Sequence, residues 1–288
     1  AGKPACAFTL SGSAATNADT VTDTGSNTWT CAFALADADA EAAVAFTITF
    51  DDLAGNAGTS VTAVSDSSSV TLDDSVPTLT SVSIDSDNAE TSATAETATN
   101  GDTVTLSFTG SETLSSNAAG GKPACAFTLN SVAATNSDTV TNTGGNTWTC
   151  VFDLANADAN AAVAFSISFD DLAGNAGTAV TAASDGTSVT LDDTAPTLTS
   201  VSIVSDNADT TKAKDDDTVT LTVVGSETLS ANAAGGKPAC TFTVNSAAAT
   251  NADTVTNTGG NTWTCAFDID SSDSDGAVAF TITFDDLA

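Results

Sequence analysis

Six cysteines and a recurring set of carboxylates are the residues of this sequence that could do chemistry. The cysteines come as Cys6/Cys31, Cys125/Cys150 and Cys240/Cys265, each pair 25 residues apart. None has the CxxC spacing of a metal site, and the chain has no His to complete a zinc centre. Paired, evenly placed Cys read as disulfides, and disulfides imply export to an oxidising space. Six Cys allow 15 pairings in principle, and the repetition favours closure within each pair. Closing a 25-residue loop stabilises a domain by about 3–3.5 kcal/mol in the chain-entropy model.

The carboxylates fall at Asp51 and Asp52, Asp73 and Asp74, Glu112, Asp170 and Asp171 (with Asn175 close behind), Asp192 and Asp193, Glu227, and Asp285 and Asp286. Carboxylate oxygens are hard ligands, and Ca²⁺ takes six to eight oxygens. The competing reading is that these residues cap turns and solvate loops, with Asn175 in a left-handed conformation. Carboxylate pairs are also the equipment of glycosidases. That chemistry fits poorly, because the pairs recur in every repeat, Tyr is absent, and Trp occurs once per repeat inside a strand. There is no His for a triad and no G-x-S-x-G elbow. An enzyme is not expected.

The elements that must position these residues are repeated. GKPACAFTL at residues 2–10 returns at 121–129 and again, as GKPACTFTV, at 236–244. The step from Cys6 to Cys125 is 119 residues and that from Cys125 to Cys240 is 115. Such a unit exceeds the roughly 20–50 residues of a solenoid repeat, so each should be a domain with its own core. The Asp-Asp-x-x-Pro steps ending at Pro77 and Pro196 punctuate the units, because Pro interrupts strand pairing. This predicts a partial domain at 1–73, a complete one at 74–192, and one at 193–288 that lacks its last strand.

Period-2 alternation divides the complete domain into seven strands, A to G, at 78–84, 103–109, 124–130, 139–141, 147–154, 163–169 and 178–191, the last broken near 184–187. Seven short alternating strands in one such unit indicate an all-β, immunoglobulin-like sandwich. In that topology C and E lie in opposite sheets, so Cys125–Cys150 staples them, and Trp148 packs nearby. The start of A, the B–C loop and the F–G loop share one end. Asp73, Asp74, Glu112, Asp170, Asp171 and Asn175 therefore converge, and the next junction offers Asp192, Asp193, Glu227, Asp285 and Asp286. Lys3, Lys122 and Lys237 precede a Pro at the start of C in each repeat. They either pair with a carboxylate of a neighbour or guard an edge against strand pairing.

DDTAPTLTSVSI at 192–203, SETL at 226–229 and FDDLAGNAG at 169–177 resemble the bacterial immunoglobulin-like repeats of giant secreted surface adhesins and cell-surface fibres. The resemblance covers the whole chain. It implies an extracellular extender or stalk, often stiffened by Ca²⁺ at domain junctions. The paired Cys depart from the commonest pattern of that family, which usually lacks them.

Composition narrows the partners. With 37 Asp plus Glu against five Lys and a formal net charge of −32, the surface repels nucleic-acid phosphates and anionic lipids. No run of 18 apolar residues is present, so no helical membrane span is expected. The expected partners are neighbouring repeats of the same chain or identical subunits in a fibre. The expected role is a structural or adhesive extender, with a glycan- or protein-binding module of an adhesin as the alternative. The sequence reads as a window of a longer array, in which Phe280, Ile282 and Phe284 need cover. Either the continuing polypeptide or a strand donated by a neighbouring subunit would supply it.

Overall fold

Residues 103–110 set the pattern for the whole chain. Val104, Leu106 and Phe108 are buried, and the intervening Thr103, Thr105, Ser107 and Thr109 are half-exposed. This is the two-residue period of a strand with one face in a core. The computed structural model describes residues 2–88, 94–117, 121–232, 236–251 and 253–288, and its regular elements there are all strands.

The first repeat forms β1 (Ala5–Leu10), β2 (Ser13–Ala14), β3 (Thr20–Gly25), β4 (Thr28–Ala32) and β5 (Val44–Thr49). The second forms β6 (Leu79–Ser86), β7 (Ala95–Ala98), β8 (Thr103–Gly110), β9 (Ala124–Leu129) and β10 (Val132–Ala133). It continues with β11 (Thr139–Gly144), β12 (Thr147–Asp153), β13 (Val163–Ser168) and β14 (Ser188–Leu191). The third forms β15 (Leu198–Ser205), β16 (Thr218–Gly225), β17 (Ala239–Val244), β18 (Ala247–Ala248), β19 (Thr254–Gly259), β20 (Thr262–Asp268) and β21 (Val278–Thr283).

In the second repeat one sheet runs β11-β12-β8-β6 and the other β10-β9-β13, while β14 pairs with β7 in parallel. In strand letters this is D-E-B-A facing C-F, the immunoglobulin arrangement. The third repeat reproduces it as β15-β16-β20-β19 and β18-β17-β21, and the first contributes β2-β1-β5 and β3-β4. The chain is thus an all-β tandem of immunoglobulin-like sandwiches.

Each disulfide crosses between sheets. Cys125 of β9 and Cys150 of β12 have Cα atoms 6.4 Å apart. Cys6–Cys31 and Cys240–Cys265 each span 6.3 Å. Two residues further along each strand pair, Phe127 stacks on Phe152 at 4.3 Å, and Phe242 stacks on Phe267 at 4.4 Å. Trp148 and Trp263 are buried, and their indole nitrogens have no hydrogen-bond partner among the described residues. The second repeat buries Leu106, Phe108, Phe152 and Ile167 as well, and in the third Val219, Leu221, Val223, Leu229 and Phe242 cluster with Trp263.

Two turns explain departures from simple alternation. Asn130 and Ser131, between β9 and β10, both have positive φ (49° and 65°), the geometry of a two-residue primed hairpin. That turn creates the small strand β10, which alternation alone does not predict. The expected long G strand is reduced to β14. Upstream of it lies one bridge, Ile167↔Val180, and then the turn at Asp185. There the Asp185 carboxylate accepts from Thr187 N at 3.0 Å, and Gly186 has φ 79°. The chain crosses at this turn to β6, where Ser184 and Thr187 bond to Val82 and Ile84. β7 is also additional; it exists as the parallel partner of β14.

Two compact units emerge. One comprises Ala1–Thr78, Ser111–Pro123 and Ser168–Thr178. The other comprises Leu79–Gly110, Ala124–Ile167 and Ala179–Ala288. The loops after β8 and β13 therefore belong with the linker that carries Asp73.

Candidate functional site

Asp171 follows β13 and is buried. Its Oδ1 accepts from Gly174 N at 2.7 Å and Asn175 N at 2.9 Å, and its Oδ2 accepts from the Asn175 side chain at 2.8 Å. Burial pushes the Asp171 carboxyl up, but the bonds from Asn175 and Gly174 outweigh it and hold the group below its ordinary value. Asn175 also donates to the carbonyl of Asp73 at 2.9 Å, tying the linker to this loop. The left-handed residue of the turn is Gly174, with φ 99°, and not Asn175, where the turn-capping alternative put it. A residue without Cβ takes that conformation at least cost.

Glu112, in the loop after β8, closes the group. Carboxylate oxygens of Asp73, Glu112 and Asp171 all lie within 4.8 Å of one another. Burial, then the charges of Asp73, Asp171 and Glu41, push the Glu112 carboxyl above its ordinary value. Three facing carboxylates repel, and either a proton or a cation relieves that repulsion.

The cluster is smaller than the set anticipated. Asp74 is not among the carboxylates that meet there; its N–H and the hydroxyl of Ser75 donate to the Glu41 carboxylate, at 3.2 Å and 2.8 Å. Asp170 works through its backbone, accepting from Ser115 N and donating to Gly121 O. Its successor Asp285 does the same with Ser230 and Gly236. Asp193 caps the turn at 99–100, accepting from Thr99 Oγ1 at 3.0 Å and Asn100 N at 2.7 Å. Asp51 forms a backbone bridge with Ala57. Asp52 repeats the Asp171 turn with Ala54 and Asn56. These residues serve the turns and the backbone of their loops.

The next set is Asp192, Glu227 and Asp286. Burial, then the charges of Asp192 and Asp286, push the Glu227 carboxyl up. Asp286 is raised as well, by burial first and then by Asp192 and Asp285, against a bond from Ala288 N. The same three repeat positions are thus electrostatically coupled twice.

One carboxylate family went unread in the sequence. Asp39, Asp158 and Asp273 each accept from Thr16, Thr135 or Thr250 across 23 residues, and each also caps its own turn. Their recurrence at one repeat position is the signal that could have found them. Glu41 was likewise missed, since its counterpart is Asn160, which still accepts from Asp193 N. Lys237 donates to the carbonyl of Val255 at 3.2 Å. Among the described residues the ion pair is Lys214–Asp217 at 3.2 Å.

No family model and no curated protein matches the sequence. Among solved structures, the chain is similar to FdeC, an Escherichia coli adhesin. The identity is 18%, covering 98% of this chain and 81% of that one, with a TM-score of 0.38. It is also similar to titin A168169, at 10% identity over 74% of this chain and 100% of that one, with a TM-score of 0.24. At these values the fold rests on the chain's own strand order.

Proposed function

We propose that this chain is a structural, adhesive-type extender segment of a secreted cell-surface fibre, built of immunoglobulin-like domains at 1–73, 74–192 and 193–288. One observation carries the reading: every repeat devotes the same residues to the same scaffold. The inter-sheet cystine, the stacked Phe pair and the Asp-capped loops recur in each. Interchangeable units supply reach and spacing, whereas recognition or catalysis needs one repeat to differ from the rest. Three cystines suit an extracellular location. The partners are neighbouring repeats or identical subunits, and the reading assigns no reaction to the chain.

Calcium belongs to this proposal. Oxygens within 4.8 Å of one another suit a single ion with Ca–O distances of about 2.3–2.6 Å. Asp73, Glu112 and Asp171 would hold one ion; Asp192, Glu227 and Asp286 occupy the same repeat positions, and the charges of Asp192 and Asp286 act on Glu227, which makes them the candidates for a second. An ion at the first would join the linker to both adjoining loops and stiffen it. Titration calorimetry of the intact chain with CaCl₂ tests the metal: heat of binding and a melting temperature that falls on chelation are expected. Absence of both would leave the carboxylates as capping and solvating groups only. Electron micrographs of the native particle test the extender: regularly spaced beads along a thin string are expected, and isolated compact particles would refute it.

A further inference from the structure

The cystine of the second sandwich has an acidic neighbour. Cys125 on β9 is half-buried, and Cys150 on β12 is fully buried. A carboxylate oxygen of Asp138 and the two sulfurs all lie within 4.8 Å of one another. Asp138 immediately precedes β11, which pairs with β12 so that Val140 stands opposite Cys150. That pairing holds the acid beside the cystine. Other Asp residues of the sandwich spend their carboxylates on backbone N–H groups: Asp158 on Ala155, Asp171 on Asn175 and Asp193 on Asn100. The carboxylate of Asp138 meets sulfur instead.

The charge of Asp138 is not cancelled by a contact. The ion pair found among the described residues is Lys214–Asp217. The cation closest in sequence to Cys125 is Lys122, and its counterpart Lys237 in the third repeat donates to a carbonyl, that of Val255. The position also recurs. Asp19, Asp138 and Asp253 each fall 13 residues after the first Cys of their pair, in TNADTV, TNSDTV and TNADTV, where the residue before the Asp changes and the Asp does not.

A cystine is opened by a thiolate. The attacking R–S⁻ bonds to Cys125 Sγ, the more accessible sulfur. The S–S bond breaks, and its electron pair leaves on Cys150 Sγ, which takes a proton from water. A second thiolate attacks the mixed disulfide, frees Cys125 and releases R–S–S–R. During each exchange a negative charge is spread over the sulfurs, beside the Asp138 carboxylate. The same carboxylate opposes the thiolate form of Cys150 and makes it a poorer leaving group. We propose that Asp138 shields the Cys125–Cys150 cystine from thiol–disulfide exchange, so that low-molecular-weight thiols open it slowly. A unit charge 4.8 Å away in water slows such an attack by about fourfold.

Reduction of the intact chain by glutathione, followed cystine by cystine through alkylation and peptide mass spectrometry, tests this. Asp138→Asn should open Cys125–Cys150 about fourfold faster at low ionic strength. The difference should fade in about 1 M NaCl, where the Debye length is about 3 Å. Asp138→Glu keeps the charge and should stay near the wild-type rate. Cys6–Cys31 and Cys240–Cys265, with Asp19 and Asp253 in place, should be reduced as before. An uncharged phosphine reaches the sulfurs without bringing a negative charge, and its rate should not change. Equal glutathione rates for the wild-type and Asp138→Asn chains would overturn the proposal. An acceleration that the phosphine shares, or that salt leaves undiminished, would overturn it too, since the substitution would then act by opening the loop.

Discussion

Two carboxylates that meet at the junction, Asp171 and Glu112, have opposite pH behaviour. Asp171 has a folded-state value held below the ordinary one. Its contribution is therefore present above the unfolded value and lost as pH falls through the folded one. Glu112 has a raised value, so its contribution is fully present below the unfolded value and lost as pH rises through the folded one. Asp171→Ala strands the N–H groups of Gly174 and Asn175 and should cost about 1–3 kcal/mol, read from urea unfolding at neutral pH. Glu112→Gln should do the reverse, raising the midpoint at neutral pH by relieving repulsion, with the advantage vanishing in acid. An equal effect at both pH values would show that Glu112 acts by packing alone. The cystines belong to this scale too. Reduction of Cys125–Cys150 should lower stability by about 3 kcal/mol on loop-closure grounds, and a denaturation midpoint unmoved by reductant would contradict that.

At the scale of elements, strands with one buried face were legible because alternation encodes them directly. Leu106 and Phe108 on β8, and Trp148, Cys150 and Phe152 on β12, lie on one parity and in the core. Leu106→Ala removes a fully buried side chain and should cost about 2–5 kcal/mol, measurable as a shifted midpoint with an unchanged m-value. What escaped were elements defined by a distant partner. Ala95–Ala98 has no apolar alternation, and it is a strand only because β14 lies beside it. The expected break in the G strand near 184–187 falls at the Asp185–Gly186 turn, but its first half was overdrawn: 178–183 keeps only the Ile167↔Val180 bridge, and nothing local states that the chain then lands on β6. The same limit applied to the carboxylates. Strand direction was enough to bring the linker and the loops after β8 and β13 together. The membership of the cluster depends on how each loop holds its side chains: Asn175 anchors both the Asp171 carboxylate and the carbonyl of Asp73. Such anchoring across 102 residues has no signature in local residue type or spacing.

Across the whole molecule, net charge governs how stability responds to salt. Thirty-seven acidic residues face five Lys, and one ion pair is found among the described residues, so most of the charge is uncompensated by close contacts. Compact folding concentrates like charges, and self-repulsion then opposes the folded state. The Debye length shrinks from about 8 Å at physiological ionic strength to about 3 Å at 1 M salt. Screening should therefore stabilise this protein, unlike one held together by surface ion pairs. The melting temperature should climb steadily with NaCl, and choline chloride at equal ionic strength should match it, because screening is indifferent to the cation's chemistry. Calcium separates the two effects. If Asp73, Glu112 and Asp171 bind it, CaCl₂ should raise the melting temperature beyond NaCl of equal ionic strength, by mass action on the folded state, worth about 2.7 kcal/mol at a hundredfold excess over Kd. Glu112→Gln should remove that excess while leaving the response to NaCl intact. If CaCl₂ and NaCl coincide at every ionic strength, the molecule is stabilised by screening alone and the junction ion must be abandoned.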